Sequence, residues 1–439
     1  MLRNLIASLL LLLPFASHAV EVETATLDRD VTAWYAPDDT LPVVHVILSF
    51  EGAGYASDPQ DALGLAQLTA SMLLEGAGKY DALAFQKALE ENAISITSEV
   101  SSDRLVIHIH TLKEHAALAG KLVVQALTKP RLDGADMARS KAAQLADLHR
   151  ANESAAYRAT RLFAQKAFAN HPYANPRLGD AQGIARIGEA DIRQFIDTYV
   201  TSGNLKVSAA GDVDEALLDT VLAPLIRALP QNDTGAVGVA NVAIQTQGVI
   251  IDDSVNVPQS TVLFAAPGIR RKDPEFYAAY LLMEIVGGGG SLTSRLNQDL
   301  RQKDGLVYSV GAALDEYRGA VLLSGALSTR NSKRDEAIAR VQETFRTLYL
   351  NGVTTQECAD IKTFVKGNFP LQMDNTRSVA LMLLTMQIFD LGEDYIAKRN
   401  DYFDAVSCSD MNRATKTLLD PKRLLFIGVG GKPEAEHTP

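Results

Sequence analysis

Cysteine is nearly missing from this chain of 439 residues, which has only Cys358 and Cys408. That count excludes a disulfide-rich scaffold and a zinc site built of thiolates. In an oxidising compartment the two can form one bridge closing a loop of about fifty residues. The alternative is a pair of buried free thiols. Positive charge is scarce too: Lys and Arg number 42 against 53 Asp and Glu, a formal net charge of −11. The basic residues form no stripe, and an acidic surface repels phosphate backbones, which argues against nucleic-acid binding. Long apolar runs are scarcer still. One stands near the start, Leu5 to Leu13, preceded by Arg3 and closed by Pro14, too short to span a bilayer. With Ser17-His18-Ala19 behind it, residues 1–19 have the three parts of a cleavable secretory signal. Its removal takes away one arginine, so the mature chain carries a net charge near −12. About 420 residues remain, enough for two or more domains, and a periplasmic location is expected.

What the chain does have is a repeat. An apolar run from Val43 to Phe50 ends at Gly52 and Gly54; Asp58-Pro59 follows, then a helical pattern from Ala62 to Leu74 stopped by Gly76-Ala77-Gly78. The same events recur with Thr261 to Ala266, Pro267-Gly268, Asp273-Pro274 and a helical pattern from Glu275 to Val286 stopped by Gly287 to Gly290. The two Asp-Pro pairs lie 215 residues apart. The brackets Leu127/Lys141 and Leu348/Lys362 around matching turns lie 221 apart. Each half closes with a strand into glycine, Leu205 to Gly211 and Leu424 to Gly430. A drifting offset of this size fits duplication with small insertions. The polar stretch Pro230 to Gly235 suits a linker. The expected organisation is a signal over 1–19, one domain over 20–229, a linker over 230–248 and a second domain over 249–439. Helical patterns at Ala116–Leu127, Ala135–Arg150 and Ala155–Phe168 alternate irregularly with strands such as Arg104–His110 and Ala320–Ala326. That order argues an α+β fold, each domain a mainly antiparallel sheet with helices packed on one face.

Particular residues then resemble a known family. The strand, Gly64-Leu65-Ala66 and Met72-Leu73-Leu74-Glu75-Gly76 resemble the catalytic helix of the pitrilysin/insulinase zinc peptidases. The family's helix carries His-x-x-Glu-His, two imidazoles on one face for zinc and a Glu for the attacking water. Here those positions read Gln67, Ala70 and Ser71: an amide, a methyl and a hydroxyl, none able to do its task. The family's third ligand, a Glu about 75 residues on, falls in register with Ala146, Asp147 and Leu148, where Asp147 alone offers a carboxylate. The resemblance therefore implies a lost metal site and no zinc bound by this chain. His110-Thr-Leu-Lys-Glu114-His115 mimics the motif with one residue too many, which turns the second imidazole about 100° off the helical face. His108 and His110 share a strand face, with Leu105, Ile107 and Ile109 toward the core. Two solvent-facing histidines are expected there, and displaced metal ligands are the competing reading.

Other landmarks of the family are present. His171-Pro172-Tyr173-Ala174 with Leu178-Gly179 resembles its His-Pro-Tyr-Gly segment, and Ser95 to Asp103 its substrate-pairing edge strand, so Ser95, Ile96, Thr97 and Ser98 are expected to bind peptide. Gln259-Ser260 and the stretch Gly287 to Arg295 match the second half. Arg301 and Tyr308, seven residues apart, match its Arg/Tyr pair. A neutral Tyr hydroxyl can donate to the oxyanion of peptide hydrolysis, and an Arg fork to substrate carbonyls. In two-subunit members one chain carries the zinc motif and the other this pair. The resemblance thus implies a non-catalytic, substrate-binding subunit forming half of a clam-shell chamber. Zinc would sit in a partner of the same family, and Arg301 and Tyr308 would act across to it. The alternative is a peptide-binding or scaffold protein with no part in proteolysis. Gly287 to Gly290 lacks the Lys-Ser/Thr of a phosphate loop and lies at a helix C-terminus, the wrong pole for an anion. It reads as a flexible stop, with Gly287 and Gly288 beside the substrate.

Overall fold

The computed structural model describes residues 20–232, 239–288 and 293–432. The expected signal over 1–19, the middle of the linker, and Gly289 and Gly290 lie outside the described residues. Two sheets carry the fold. The first contains β1 (Glu23–Thr26), β2 (Thr32–Pro37), β3 (Val43–Glu51), β4 (Ser95–Val100), β5 (Arg104–Leu112) and β6 (Leu205–Gly211), in the order β1-β2-β6-β3-β5-β4. The second contains β7 (Gly248–Asp252), β8 (Gln259–Pro267), β9 (Val307–Glu316), β10 (Val321–Arg330) and β11 (Leu425–Val429), in the order β7-β11-β8-β10-β9. Each has one parallel pair, β2 with β6 and β7 with β11, and is otherwise antiparallel. The fold is α+β with two domains, as the repeat implied.

The first half carries α1 (Leu65–Met72), α2 (Ala82–Glu90), α3 (Ala116–Thr128), α4 (Gly134–Asn152), α5 (Ala155–Ala167), α6 (Ala181–Arg186), α7 (Glu189–Tyr199) and α8 (Glu215–Ala228). The second carries α9 (Phe276–Gly287), α10 (Arg334–Asn351), α11 (Thr355–Asn368), α12 (Thr376–Phe389), α13 (Tyr395–Ala405) and α14 (Cys408–Leu418). Side chains start several of them. Asp81 accepts from Ala84 N–H, Asn375 from Ser378 N–H, and capping boxes Thr354/Glu357 and Ser407/Asp410 open α11 and α14. Cys358 and Cys408 are disulfide-bonded, tying α11 to the first turn of α14.

Strand alternation sends Val44, Val46, Leu48, Leu105, Ile107 and Ile109 to one face, where the domain's own helices bury them. The opposite face is not left to water. Ile47, Ala36 and Ala210 on it pack against Val379, Ala380, Leu383 and Leu384 of α12, a helix of the other domain. The second sheet is treated in kind: Ala155 and Ala159 of α5 pack with Ala265, Leu425, Ile427 and Val429. The first residues of α5 and α12, 155 and 376, differ by 221, the offset of the duplication. Each domain thus lends one helix to cover its neighbour's sheet. Polar contacts fix the exchange, Gln387 Nε2 donating to Val207 O at 2.7 Å and Arg158 pairing with Asp252 at 2.8 Å. The hairpin turns meet as well. Tyr173 Oη donates to Asp103 Oδ1 at 2.8 Å and accepts from Gly319 N–H at 2.8 Å, while Arg318 N–H donates to Asp103 Oδ2 at 3.3 Å. The His-Pro-Tyr segment is therefore an interdomain latch.

This covering corrects the expectation for the histidines. His110 is exposed, but His108 is only 4% exposed, because the face it shares lies near α12. His45, overlooked in the sequence, is equally buried and lies 3.3 Å from His108, Nε2 to Nδ1. Glu99 approaches His108 at 3.8 Å and pairs with Arg377 of α12 at 3.1 Å. Burial first, then the charges of His108, His110 and Arg377, push the His45 imidazole down to about 4.

Removing the side chain of the fully buried Leu383 leaves a cavity at the domain crossing. Leu383→Ala should cost about 2–5 kcal/mol in urea unfolding; a loss under about 1 kcal/mol would show that α12 is not holding the sheet. His45 has its ordinary pKa of 6.5 when unfolded and about 4 when folded, so the native state binds fewer protons in between. Its contribution is present at neutral pH and is lost as pH falls from about 6.5 toward 4. Asp58, raised to about 7 by burial, works in the opposite sense, so the readout is a difference between variants. Between pH 7 and 4.5 the wild type should lose about 2 kcal/mol more than His45→Gln. Parallel profiles would refute the assignment.

Candidate functional site

The site grows from the start of α1. Gly64 precedes it with φ of 99°, and a side chain there would meet Gln144 Nε2 at 2.7 Å and Gly179 Cα at 3.0 Å. Asp58, 5% exposed, accepts from Gly64 N–H and Ala66 N–H, both at 2.8 Å, capping the helix from a distance. Gln144 on α4 donates to Gly64 O and Leu178 O, both at 3.1 Å, and clamps the same turn. α1 is thus held at its N-terminus and laid beside the edge strand β4, where Ser98 Oγ donates to Ala70 O at 2.9 Å.

Its working positions are otherwise engaged. Gln67 Oε1 accepts from Arg177 Nη1 at 3.1 Å. Ala70 is a buried methyl, and Ser71 Oγ turns back on its own helix to donate to Gln67 O at 3.2 Å. Asp147 does not stand in for the third ligand, as it pairs with Arg150 on the exposed side of α4, while Ser140 and Gln144 are the residues α4 buries. The zinc implied by the family does not fit this donor set, which offers an amide, a methyl and a hydroxyl beside a guanidinium that repels a dication. Among the described residues no group of three or more His, Cys, Asp and Glu is placed to hold a metal ion. His115 belongs to the turn ahead of α3 and pairs with Glu114 at 3.7 Å, away from His108 and His110.

β4 is a free sheet edge carrying Ser95 and Thr97 exposed, Ser98 partly so and Ile96 turned to the core. Its unpaired backbone groups face outward next to α1, a template for an added strand. The second sheet also ends in a free edge, β9. Arg301 lies on a π-helical segment, Asn297–Lys303, just before it. Lys303 and Asp304 are committed, to Asp299 at 2.8 Å and to Arg340 at 2.9 Å. Arg301 is exposed and makes no ion pair among the described residues. Tyr308 is 51% exposed, and the pairing of β9 with β10 shifts there: Val307 opposes Thr329 and Ser309 opposes Ser328. Tyr308 is therefore a bulge residue without a partner, a device that re-aims a side chain. Arg301 and Tyr308 share one end of the C-terminal edge, whereas Gln67, Ala70 and Ser71 share the N-terminal edge with Ser98.

Gly287 and Gly288 are buried, and at Gly287 the backbone of β9 leaves no room for a side chain. A Cβ on Gly287 would meet Ala312 N at 2.7 Å, whereas one on Gly288 would meet the Glu284 carboxylate, which can swing aside. α9 ends at Gly287, with Gly288 as its extended C-cap, so the helix stops at the glycines where the sequence placed its end. The sequence reading also missed Arg177, whose charge at Gln67 needs the fold to bring positions 110 apart together.

Comparison with known proteins follows from this geometry. The description "Insulinase (Peptidase family M16)" matches residues 34–181, and "Peptidase M16 inactive domain" matches residues 186–365. The non-peptidase homolog YmxG of Helicobacter pylori is 30% identical over 349 residues, 78% of this chain and 79% of that one. The uncharacterized zinc protease YmxG of Bacillus subtilis is 20% identical over 327 residues, 74% of this chain and 78% of that one. In fold, the chain is similar to the crystal structure of a peptidase M16 inactive domain from Pseudomonas fluorescens, with a TM-score of 0.86 at 23% identity. That match covers 96% of this chain and 100% of the other.

Arg177 is expected to bar zinc even when imidazoles are restored. In a Gln67→His, Ser71→His background, Arg177→Ala should raise zinc affinity at least about tenfold in a chelator competition. Equal affinity with and without Arg177 would remove the guanidinium from the account.

Proposed function

This chain belongs to the insulinase family of M16 peptidases, and on that premise we propose that it is the non-catalytic, substrate-binding subunit of an exported two-chain zinc peptidase. Hydrolysis would occur on a zinc-bearing relative, because α1 here presents Gln67, Ala70 and Ser71 beside Arg177. The observation that carries the reading is the bulge at Tyr308. A tyrosine lifted out of the ladder, half exposed, follows an arginine that is exposed and not ion-paired among the described residues. A neutral phenol and a guanidinium can meet an oxyanion and a substrate carbonyl without any metal of their own. The free edge of β4 would hold the peptide by strand addition, through Ser95, Ile96, Thr97 and Ser98. Gly287 and Gly288 would lie beside the substrate, and the missing side chain at Gly287 lets α9 close on β9. Export through residues 1–19 to a periplasm completes the reading. Among the described residues no helix is long and apolar enough to cross a membrane.

The open β4 edge beside a helix without ligands also favours a second reading, peptide binding or scaffolding with no role in proteolysis. The two separate in one reconstitution. With a His-x-x-Glu-His chain of the same family, peptidase activity should need both polypeptides. It should fall about 10²–10³-fold in Tyr308→Phe and by a similar factor in Arg301→Ala. Undiminished activity in both variants would overturn the proposal, and peptide binding with no effect on any protease would favour the second reading.

A further inference from the structure

A cavity of about 890 Å³ lies between the end of α4, the start of α5 and the Pro172–Ala174 turn. Leu148 lines it, at the register where a third zinc ligand was sought. So do Tyr157 and Arg161, four residues apart and hence on one face of α5. Arg161 is half-buried. Its guanidinium donates to Ala174 O at 2.9 Å, and no carboxylate stands within ion-pair distance of it among the described residues. Burial disfavours its charge. Tyr157 Oη is sealed from solvent and has no hydrogen-bond partner among the described residues. Among the described residues, a partly desolvated cation without an ion-paired carboxylate and a buried hydroxyl without a hydrogen-bond partner are both unfavourable, and their side chains line one cavity.

Three other polar groups of the wall already have partners, while Asn152 and Asn170 also line it. Gln60 donates to Asn175 Oδ1 at 3.0 Å, His171 bonds Ala240 O at 2.9 Å, and Asp180 Oδ1 accepts from Gly183 N–H at 2.7 Å. The Arg161 fork suits a planar two-oxygen anion. With Asp180 in the same wall, a singly charged group is favoured over a phosphate dianion.

We propose that this cavity is a carboxylate-binding site, with Arg161 as the fork and Tyr157 as a second donor once its hydroxyl turns toward the bound ligand. The ligand is the C-terminal carboxylate of a peptide or a free small carboxylic acid. The site is made of this chain alone, so it stands whether or not a partner subunit exists.

The test is calorimetric titration of the mature chain with tetra-alanine, with its C-terminal amide, and with acetate. The free-acid peptide should bind at least about tenfold more tightly than the amide. Arg161→Gln should weaken it by a similar factor, and Tyr157→Phe by about threefold or more. Acetate binding as tightly as tetra-alanine assigns the site to free acids; a tighter peptide assigns it to peptide C-termini. Equal affinity of acid and amide, no binding of either peptide or of acetate at millimolar concentration, or wild-type affinity in a folded Arg161→Gln would each overturn the proposal. Circular dichroism checks folding. Should Arg161→Gln fail it, the acid–amide comparison and Tyr157→Phe decide.

Discussion

The fold depends on an exchange: α5 of the first domain lies on the second sheet, and α12 of the second lies on the first. A sheet with two apolar faces needs two covers, and each domain supplies only one for itself. Because the lent helices hold equivalent places in the two repeats, the arrangement is a pseudo-twofold clasp made by duplication. Everything functional is placed by it. The outer strands β4 and β9 each end a sheet whose two faces are covered, and the hairpin turns beside them meet at Tyr173.

On this frame α1 has kept its position and lost its chemistry. Asp58, Gly64 and Gln144 still hold its first turn, so the selection of those residues reads as architectural rather than catalytic. The three working positions instead spend their polar groups on protein partners. A hydroxyl bonded to its own helix and an amide bonded to a guanidinium are satisfied without a ligand, which is why the loss of metal leaves no gap in the hydrogen bonding of Gln67 and Ser71.

Local patterns made much of this legible. The repeat and strands such as Leu205–Gly211 follow from spacing along the chain, whereas the edge character of β4 and the altered motif on α1 are implied by the family resemblance. Contacts between distant positions were legible in neither. His108 looks like one of two solvent-facing histidines until α12, some 270 residues away, is laid near that face. A hint existed in β3, whose Val-Val-His-Val-Ile-Leu-Ser-Phe-Glu is buried along nearly its whole length, the mark of a strand covered on both sides. The bulge at Tyr308 depends on register, which no composition reveals, and Asp147 fell within a register window too coarse to tell the exposed side of α4 from the buried one. The fate of the cysteines, left open by their number, is settled by the proximity of α11 and α14.

That bridge closes inside the second domain, joining residues 50 apart, and does not cross to the first. Covalent and non-covalent cohesion therefore guard different boundaries. A reductant would loosen the packing of α11 on α14 and lift a restraint on the unfolded chain, yet leave the two lent helices where they are. Redox conditions would then tune the durability of one lobe, while the mutual grip of the lobes rests on packing and polar contacts that no reductant reaches.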